Sequence, residues 1–194
     1  VNITWATHVD LDTGRPVEVP AARYRDKPIT VFPSYLGGHN WHPMSYSPKT
    51  GLVYLPVLDM PAVYGQPAQF RYNPGVSNTG TDGIAGSLPD AQAERDAVGA
   101  LVKGRLLAWD PVKQREAWHV EYKGPWNGGN LSTAGNLVFQ GTADGKLVAY
   151  RADDGTQLWD LTTQTGVVAP PISFEMDGEQ YVSVNVGWGG AFAL

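Results

Sequence analysis

The chain has 194 residues, 42% hydrophobic and 17% charged, with a formal net charge of −5 and no cysteine. That length can bury a sizeable core, and neither a charge-rich disordered tail nor a membrane-spanning helix fits, because no apolar run approaches ~20 residues. The acidic balance without a basic stripe speaks against a nucleic-acid partner, and the missing thiols exclude disulfides, thiolate catalysis, zinc–cysteine sites and C-x-x-C-H haem attachment within these residues.

Turn-forming and aromatic residues are abundant: 23 Gly and 15 Pro punctuate the chain, and seven Trp with nine Tyr favour β-structure. The opening Val1-Asn2-Ile3-Thr4-Trp5 lacks a charged segment followed by an apolar one, so no signal peptide is expected; without an initiator Met the chain is expected to begin inside a longer one. His8-Val-Asp-Leu-Asp-Thr-Gly-Arg-Pro-Val-Glu18 is a degenerate copy of a motif that returns twice, with Glu18 where the others place Trp. Gly37-Gly38 then marks a turn, and Gly51-Leu-Val-Tyr-Leu-Pro56 reads as a strand. His39 and His42 between them have the spacing of one helical face, but the flanking Gly and Pro argue against a helix and hence against a metal pair.

From Asp59 to Lys103 runs an insertion rich in Pro, Gly, Asn and Gln, in which Leu88–Val98 predicts a short surface helix with Asp90 as N-cap. Gly104–Trp109 resumes as the next strand. The motif returns in Leu107-Ala-Trp-Asp-Pro-Val-Lys-Gln-Arg-Glu-Ala-Trp118 and Val148-Ala-Tyr-Arg-Ala-Asp-Asp-Gly-Thr-Gln-Leu-Trp159, at an offset of 41 residues. Strands starting at Gly135 and Gly178 lie 43 residues apart. Within one unit, Asn136–Gly141, Lys146–Arg151 and Thr156–Asp160 are separated by the turns Ala143-Asp144-Gly145 and Asp153-Asp154-Gly155; the acidic pair is turn chemistry rather than a calcium loop. Asn2-Ile-Thr4 and Asn130-Leu-Ser132 match the glycosylation pattern, which is common by chance.

A period of ~40–45 residues with several short strands per unit is a propeller signature, and Trp118 and Trp159 are placed to dock on neighbouring units. A β-sandwich with tryptophans as ordinary core filling is the bland alternative, but sandwiches do not repeat at a fixed period. The expected fold is all-β, roughly three propeller blades: residues 1–37 end a preceding blade, 38–122 form an expanded blade with insertion 60–103, 123–161 a full blade, and 162–194 the start of another. Propellers close with at least four blades, so this chain is not expected to close a ring.

The pattern Ala-x-Asp-x-x-Thr-Gly-x-x-x-Trp, followed at Ala108…Trp118 and Ala149…Trp159, resembles the tryptophan-docking motif of quinoprotein alcohol dehydrogenases, with Gln114 for Gly and Arg151 for Asp as departures. The strings His39-Asn40-Trp41-His42-Pro-Met-Ser-Tyr-Ser-Pro-Lys-Thr-Gly51, Gly124-Pro-Trp126-Asn127-Gly-Gly-Asn-Leu-Ser-Thr-Ala-Gly135 and Gly178-Glu-Gln-Tyr-Val…Gly187-Trp-Gly-Gly190 look like segments of the same family. The likeness covers essentially the whole chain and is closest to periplasmic alcohol dehydrogenases that use pyrroloquinoline quinone (PQQ) and often carry a fused haem c domain.

The resemblance implies an eight-bladed β-propeller with PQQ near its axis and Ca²⁺ at the quinone side. In it an Asp takes the alcohol proton while hydride passes to the quinone, so that primary alcohols become aldehydes and electrons leave to a cytochrome c or haem c domain. It places this chain among the later blades, where the family's calcium ligands, catalytic Asp, cysteine pair and Lys or Arg contact have no counterpart; the haem domain would follow Leu194. No catalytic or metal-binding residue is therefore expected here, and the isolated chain is expected to be inactive. Asn40 matches the family's PQQ-contacting Asn, with a turn residue as the plain alternative, and Trp41 walls the pocket or fills core. At the next pocket position the Gly128-Gly129 alignment favours Asn127 while residue type favours Trp126. Val167 and Val168 fall where the family makes a backbone or apolar contact. Two competing functions are a non-catalytic propeller scaffold for protein assembly, which would need neither the His39–Gly51 string nor the long insertion, and a lectin-like sugar binder on exposed Trp. Open faces of a partial propeller lead to an expectation of association with itself or with the missing propeller half.

Overall fold

The computed structural model describes residues 2–76, 78–81 and 91–189. In chain order the strands are β1 (Ala6–Val9), β2 (Pro16–Glu18), β3 (Ile29–Val31), β4 (Ser45–Ser47), β5 (Leu52–Asp59) and β6 (Ala62–Tyr64). Helix α1 (Gln92–Leu101) comes next, then β7 (Lys103–Asp110), β8 (Arg115–Tyr122), β9 (Asn130–Ser132), β10 (Leu137–Gly141) and β11 (Lys146–Arg151). The last are β12 (Gln157–Thr162), β13 (Ile172–Met176) and β14 (Glu179–Ser183).

The chain divides into two compact units. The first, Val1–Gly38 with Asp59–Leu101, holds the β1–β2 hairpin, the antiparallel pair β3–β6 and α1. The helix predicted at Leu88–Val98 begins at Gln92 instead; its proposed cap, Asp90, lies outside the described residues. The second unit, His39–Leu58 with Val102–Leu194, holds two four-stranded sheets, β4-β5-β7-β8 and β9-β10-β11-β12, and the β13–β14 hairpin. β5 and β7 are hydrogen-bonded neighbours although the polypeptide leaves the sheet at Asp59 and re-enters at Lys103. Short antiparallel sheets in series are the β-propeller architecture that the 41-residue motif offset calls for.

Side chains alternate across a strand, so Leu52 and Tyr54, Leu106 and Ala108, and Val148 and Tyr150 face inward from their strands. Together with Val138 and Ala152 they form one buried cluster, against which Trp118, Val120 and Tyr122 pack. Trp118 docks on the next sheet as its position in the repeat predicts. Its indole Nε1–H donates to the Ala152 carbonyl at 3.0 Å, and its ring covers Gly155, where a Cβ would lie 2.6 Å from Cε3. The Tyr54 hydroxyl donates to the same carbonyl at 2.9 Å, and its ring lies 5.6 Å from that of Trp118. Gly155 has φ +73, so its glycine answers both a left-handed turn and a close approach.

Trp159 corrects the expectation that both tryptophans dock: it is 47% exposed. Trp118 sits on the turn between the third and fourth strands of the next sheet, and among the described residues the sheet after Trp159 has only two strands, β13 and β14. The degenerate first copy is nevertheless a true repeat. Gly14 N–H donates to Asp10 O and Asp10 N–H to Arg15 O, both at 2.8 Å, matching Gly155 to Arg151 at 2.9 Å and Arg151 to Thr156 at 2.8 Å. Asp154 Oδ1 accepts the Thr156 N–H at 2.9 Å, which is the turn chemistry read from its sequence.

Candidate functional site

Three stretches of the second unit each lead into the first strand of a sheet: Asn40 to Pro43 into β4, Trp126 to Gly129 into β9, and Val167 to Pro170 into β13. They meet at glycines. A Cβ on Gly129 would stand 2.7 Å from Pro43 Cδ and 2.9 Å from Pro170 Cβ. A Cβ on Gly128 would stand 2.8 Å from the Ala169 oxygen and 2.9 Å from that of Val167. Only a residue without a side chain lets the three backbones approach so closely. Asn130 ties two of the sheets together: its N–H donates to the Pro43 oxygen (3.0 Å), its Nδ2 donates to the Tyr54 oxygen (3.0 Å), and its Oδ1 accepts from Ser45 Oγ (2.5 Å). Buried and fully engaged, this Asn is unfit for glycosylation.

Aromatic rings line up at the same place. Trp41, 56% exposed, stacks on His42 with centroids 4.1 Å apart and planes 23° apart. His42, 1% exposed, tilts against Trp126 at 5.1 Å and 44°, and Trp126 is itself only 7% exposed. Neither His42 ring nitrogen has a hydrogen-bond partner among the described residues. Burial, and secondarily the neighbouring His39, lowers its pKa to about 4, so the ring is neutral at pH 7. His39 turns its Nδ1 to the Pro56 oxygen at 2.8 Å, and among the described residues no group of three or more His, Asp or Glu could hold a metal ion.

The two residues left open at the second position have different duties. The Asn127 amide spends both ends on backbone: Nδ2 donates to the Gly124 oxygen (2.8 Å) and Oδ1 accepts the Ala143 N–H (3.1 Å). Trp126 beside it presents a flat ring to His42. Asn40 is half-buried and accepts the Trp41 N–H on Oδ1 at 2.9 Å, which fixes its side chain over the turn. Val167 and Val168 are buried. The Val167 N–H donates to the Thr142 oxygen (2.9 Å) and its side chain covers Gly141, so at the meeting point this stretch offers its carbonyls rather than its methyl groups.

Sequence reasoning misses two residues. His42 enters it only as half of a metal pair. Gln140, fully buried, donates from Nε2 to the Gly128 oxygen at 2.7 Å and accepts on Oε1 from the Tyr122 hydroxyl at 2.9 Å, which lies 3.0 Å from that of Tyr150. Burial first, and Tyr150 next, raises the Tyr122 pKa well above its ordinary value, so the network stays protonated. A signal for Gln140 exists: it shares the inward face of β10 with Val138, a polar residue where alternation calls for an apolar one. The first unit has its own apolar cleft, with Trp5, Tyr24, Tyr35 and Tyr64 among its walls, and none of the candidate residues lies in it.

Comparison with known proteins bears on this arrangement. Residues 103–182 match the family described as "Glucose/ethanol/alcohol dehydrogenase, beta-propeller domain" with the short name PQQ. The chain is 52% identical over 99% of its length to the quinohemoprotein alcohol dehydrogenase ADH IIB of Pseudomonas putida, and 48% identical over 100% of its length to the quinohemoprotein alcohol dehydrogenase of Comamonas testosteroni. It spans 27% of the length of each of these relatives. Among solved structures, the quinohemoprotein alcohol dehydrogenase ADHIIG of Pseudomonas putida HK5 superposes with a TM-score of 0.93 at 43% identity, over 99% of this chain and 29% of that one.

Proposed function

Over its whole length this chain is kin to the PQQ-dependent quinohaemoprotein alcohol dehydrogenases, and from that premise we propose that it builds one wall of a PQQ site in an enzyme oxidising primary alcohols to aldehydes. The observation that carries the reading is the convergence of the Asn40, Trp126 and Val167 stretches, closed by Gly128 and Gly129. PQQ is a flat quinone edged with carboxylates, and the residues here suit its faces and its carbonyl edge. Trp126 and Trp41 are planar and apolar, Asn40 carries an amide, and the imidazole that contacts both indoles is uncharged. They do not suit its charge. Cationic partners for the carboxylates, the Ca²⁺ ligands and the proton-accepting Asp are assigned to other parts of the enzyme, on the family resemblance.

When bound, PQQ would supply the two-electron acceptor for the hydrogen removed from the alcohol carbon. This chain's share is binding and orientation. Local bonding supports Trp126 as the ring that faces the cofactor and Asn127 as the residue that holds the bend presenting it. Asn40 serves the cofactor edge, Trp41 the outer wall, and Val167 and Val168 act through their backbone. Transfer of electrons to a cytochrome c or haem c domain, and a periplasmic location, belong to the same proposal. They rest on the family resemblance, and the haem also on the names of the relatives.

The test reconstitutes the protein containing this chain with PQQ and Ca²⁺ and measures tryptophan quenching and alcohol-dependent dye reduction. Trp126→Ala is expected to weaken PQQ binding about tenfold, the scale of a lost aromatic contact. Asn127→Ala is expected to lower thermal stability, since it strands the Ala143 N–H and the Gly124 oxygen. A wild-type protein that shows no PQQ spectral change would favour the assembly scaffold. Turnover by the isolated chain would show that the missing base is here after all.

A further inference from the structure

We propose that Gln140 is a positioning residue: its buried amide holds the Gly128 carbonyl and so fixes the peptide group between the two glycines that follow Trp126 and Asn127 in the cofactor wall. The inference rests on the proposed PQQ site and adds to it a fully buried residue of β10.

Three successive peptide groups carry the chain from the bend into β9, and each has its own holder. The Gly128 N–H donates to the Gly141 oxygen at 2.8 Å, the Gly128 carbonyl accepts from Gln140 Nε2 at 2.7 Å, and the Asn130 N–H donates to the Pro43 oxygen at 3.0 Å. The middle group is the one held by a side chain. It also has glycine on both sides, which widens the backbone conformations open to it. Close packing limits where the two Cα atoms lie, since a Cβ on Gly128 would meet the Val167 and Ala169 oxygens and one on Gly129 would meet Pro43 and Pro170. Rotation of the peptide plane between those Cα atoms is what the hydrogen bond resists. Gly128 is buried, so a carbonyl that lost this donor would stand unsatisfied or turn. The Gly129 N–H, on the opposite side of the same planar group, would turn with it.

The amide is itself oriented. A carbonyl only accepts, so Gln140 must turn Nε2 to Gly128 and Oε1 the other way, where the Tyr122 hydroxyl donates at 2.9 Å. Tyr122 has a single proton and spends it there, which leaves Tyr150, 3.0 Å away, as the donor to Tyr122. The chain of bonds therefore runs one way, from Tyr150 on β11 through Tyr122 on β8 and Gln140 on β10 to the bend, and it joins two sheets. Burial raises the pKa of both phenols, and the Asp144 carboxylate adds to the rise, so each hydroxyl keeps its proton. The same strand end also holds the third stretch: the Thr142 carbonyl accepts the Val167 N–H at 2.9 Å.

The experiment uses the protein containing this chain and compares Gln140→Met, Gln140→Glu, Tyr122→Phe and the double variant Tyr122→Phe/Gln140→Met with the wild type. Val138→Ala, which opens a cavity on the same face of β10, controls for general loosening. Melting first confirms that each variant is folded at the assay temperature. Two readouts are taken: hydrogen–deuterium exchange of residues 126–130 without cofactor, and PQQ affinity. Gln140→Met is expected to exchange faster there and to lose about tenfold in affinity, the scale of one buried hydrogen bond. A protonated Glu can make both bonds, so Gln140→Glu is expected to match the wild type at low pH and to approach Gln140→Met as the acid ionises. Tyr122→Phe is expected to lose less, and the double variant no more than Gln140→Met alone, because Tyr122 acts through Gln140. Val138→Ala is expected to melt earlier with both readouts unchanged. A folded Gln140→Met with wild-type exchange and affinity overturns the proposal, as does a Val138→Ala that reproduces its losses. If Gln140→Met does not fold, wild-type readouts in Tyr122→Phe and in ionised Gln140→Glu overturn it instead. Additive losses in the double variant overturn the part given to Tyr122. If no form binds PQQ, wild type included, the cofactor reading fails while the exchange contrast still decides whether Gln140 holds the bend.

Discussion

At the scale of single residues, the buried imidazole couples folding to pH. His42 has a pKa near 4 in the fold against an ordinary value of 6.5, so the unfolded chain takes up a proton before the folded one does. Its contribution to stability is therefore fully present above pH 6.5, declines as the pH falls toward 4, and loses nothing further below that. The span corresponds to about 3 kcal/mol at most. His39 is the titratable neighbour acting on the ring. Urea unfolding at a series of pH values is expected to show a shallower acid decline for His42→Phe than for the wild type, and equal slopes would refute the assignment. The family resemblance points to Asn40 and the adjoining Trp41, where composition alone favours a turn residue at Asn40, and residue type favours Trp126. Which of Trp126 and Asn127 is structural is not legible in the sequence, since neighbouring residues share a motif position to within one and differ only in what their side chains meet. Asn127 meets two backbone groups of its own bend; Trp126 meets a ring from another sheet.

At the scale of elements, the same tryptophan position has two outcomes. Trp118 on β8 is seated on the Ala152 carbonyl and Gly155, while Trp159 on β12 is 47% exposed. Trp118→Ala is expected to destabilise the chain by about 3–5 kcal/mol, the range for a packed aromatic cut to alanine, whereas Trp159→Ala falls within about 0.5 kcal/mol. Chemical denaturation of the two variants under identical conditions checks the contrast; similar losses would mean that Trp159 has found a seat. The equivalence of the two positions is visible in the spacing, and so are the turns, because glycine and Asx chemistry act within four residues. Even Gln114, the departure from glycine in the second copy, adopts the turn's left-handed conformation at φ +51. The seat is not visible, because it is built by residues more than thirty positions away in the next sheet.

At the scale of the whole molecule, apolar side chains remain uncovered along the last three strands: Leu158, Trp159 and Leu161 on β12, Ile172 and Phe174 on β13, and Tyr181 on β14. Exposed apolar faces and strand edges of this kind favour association. The isolated chain is expected to self-associate or to take up the remaining propeller segments when they are supplied, with light scattering as the measurement; a compact, folded monomer would contradict it. What the amino-acid sequence determined by itself is the periodic part: the strand order, the recurrent turns, the docking tryptophan and the kinship they carry. These depend on local backbone preferences and on a motif that returns after 41 residues, which a linear reading can detect. Only the tertiary structure decided that Trp159 is left bare and that His42 meets Trp126. Each of these outcomes turns on segments remote in sequence, on which surfaces can close on one another without a side chain in the way, and no local preference encodes that.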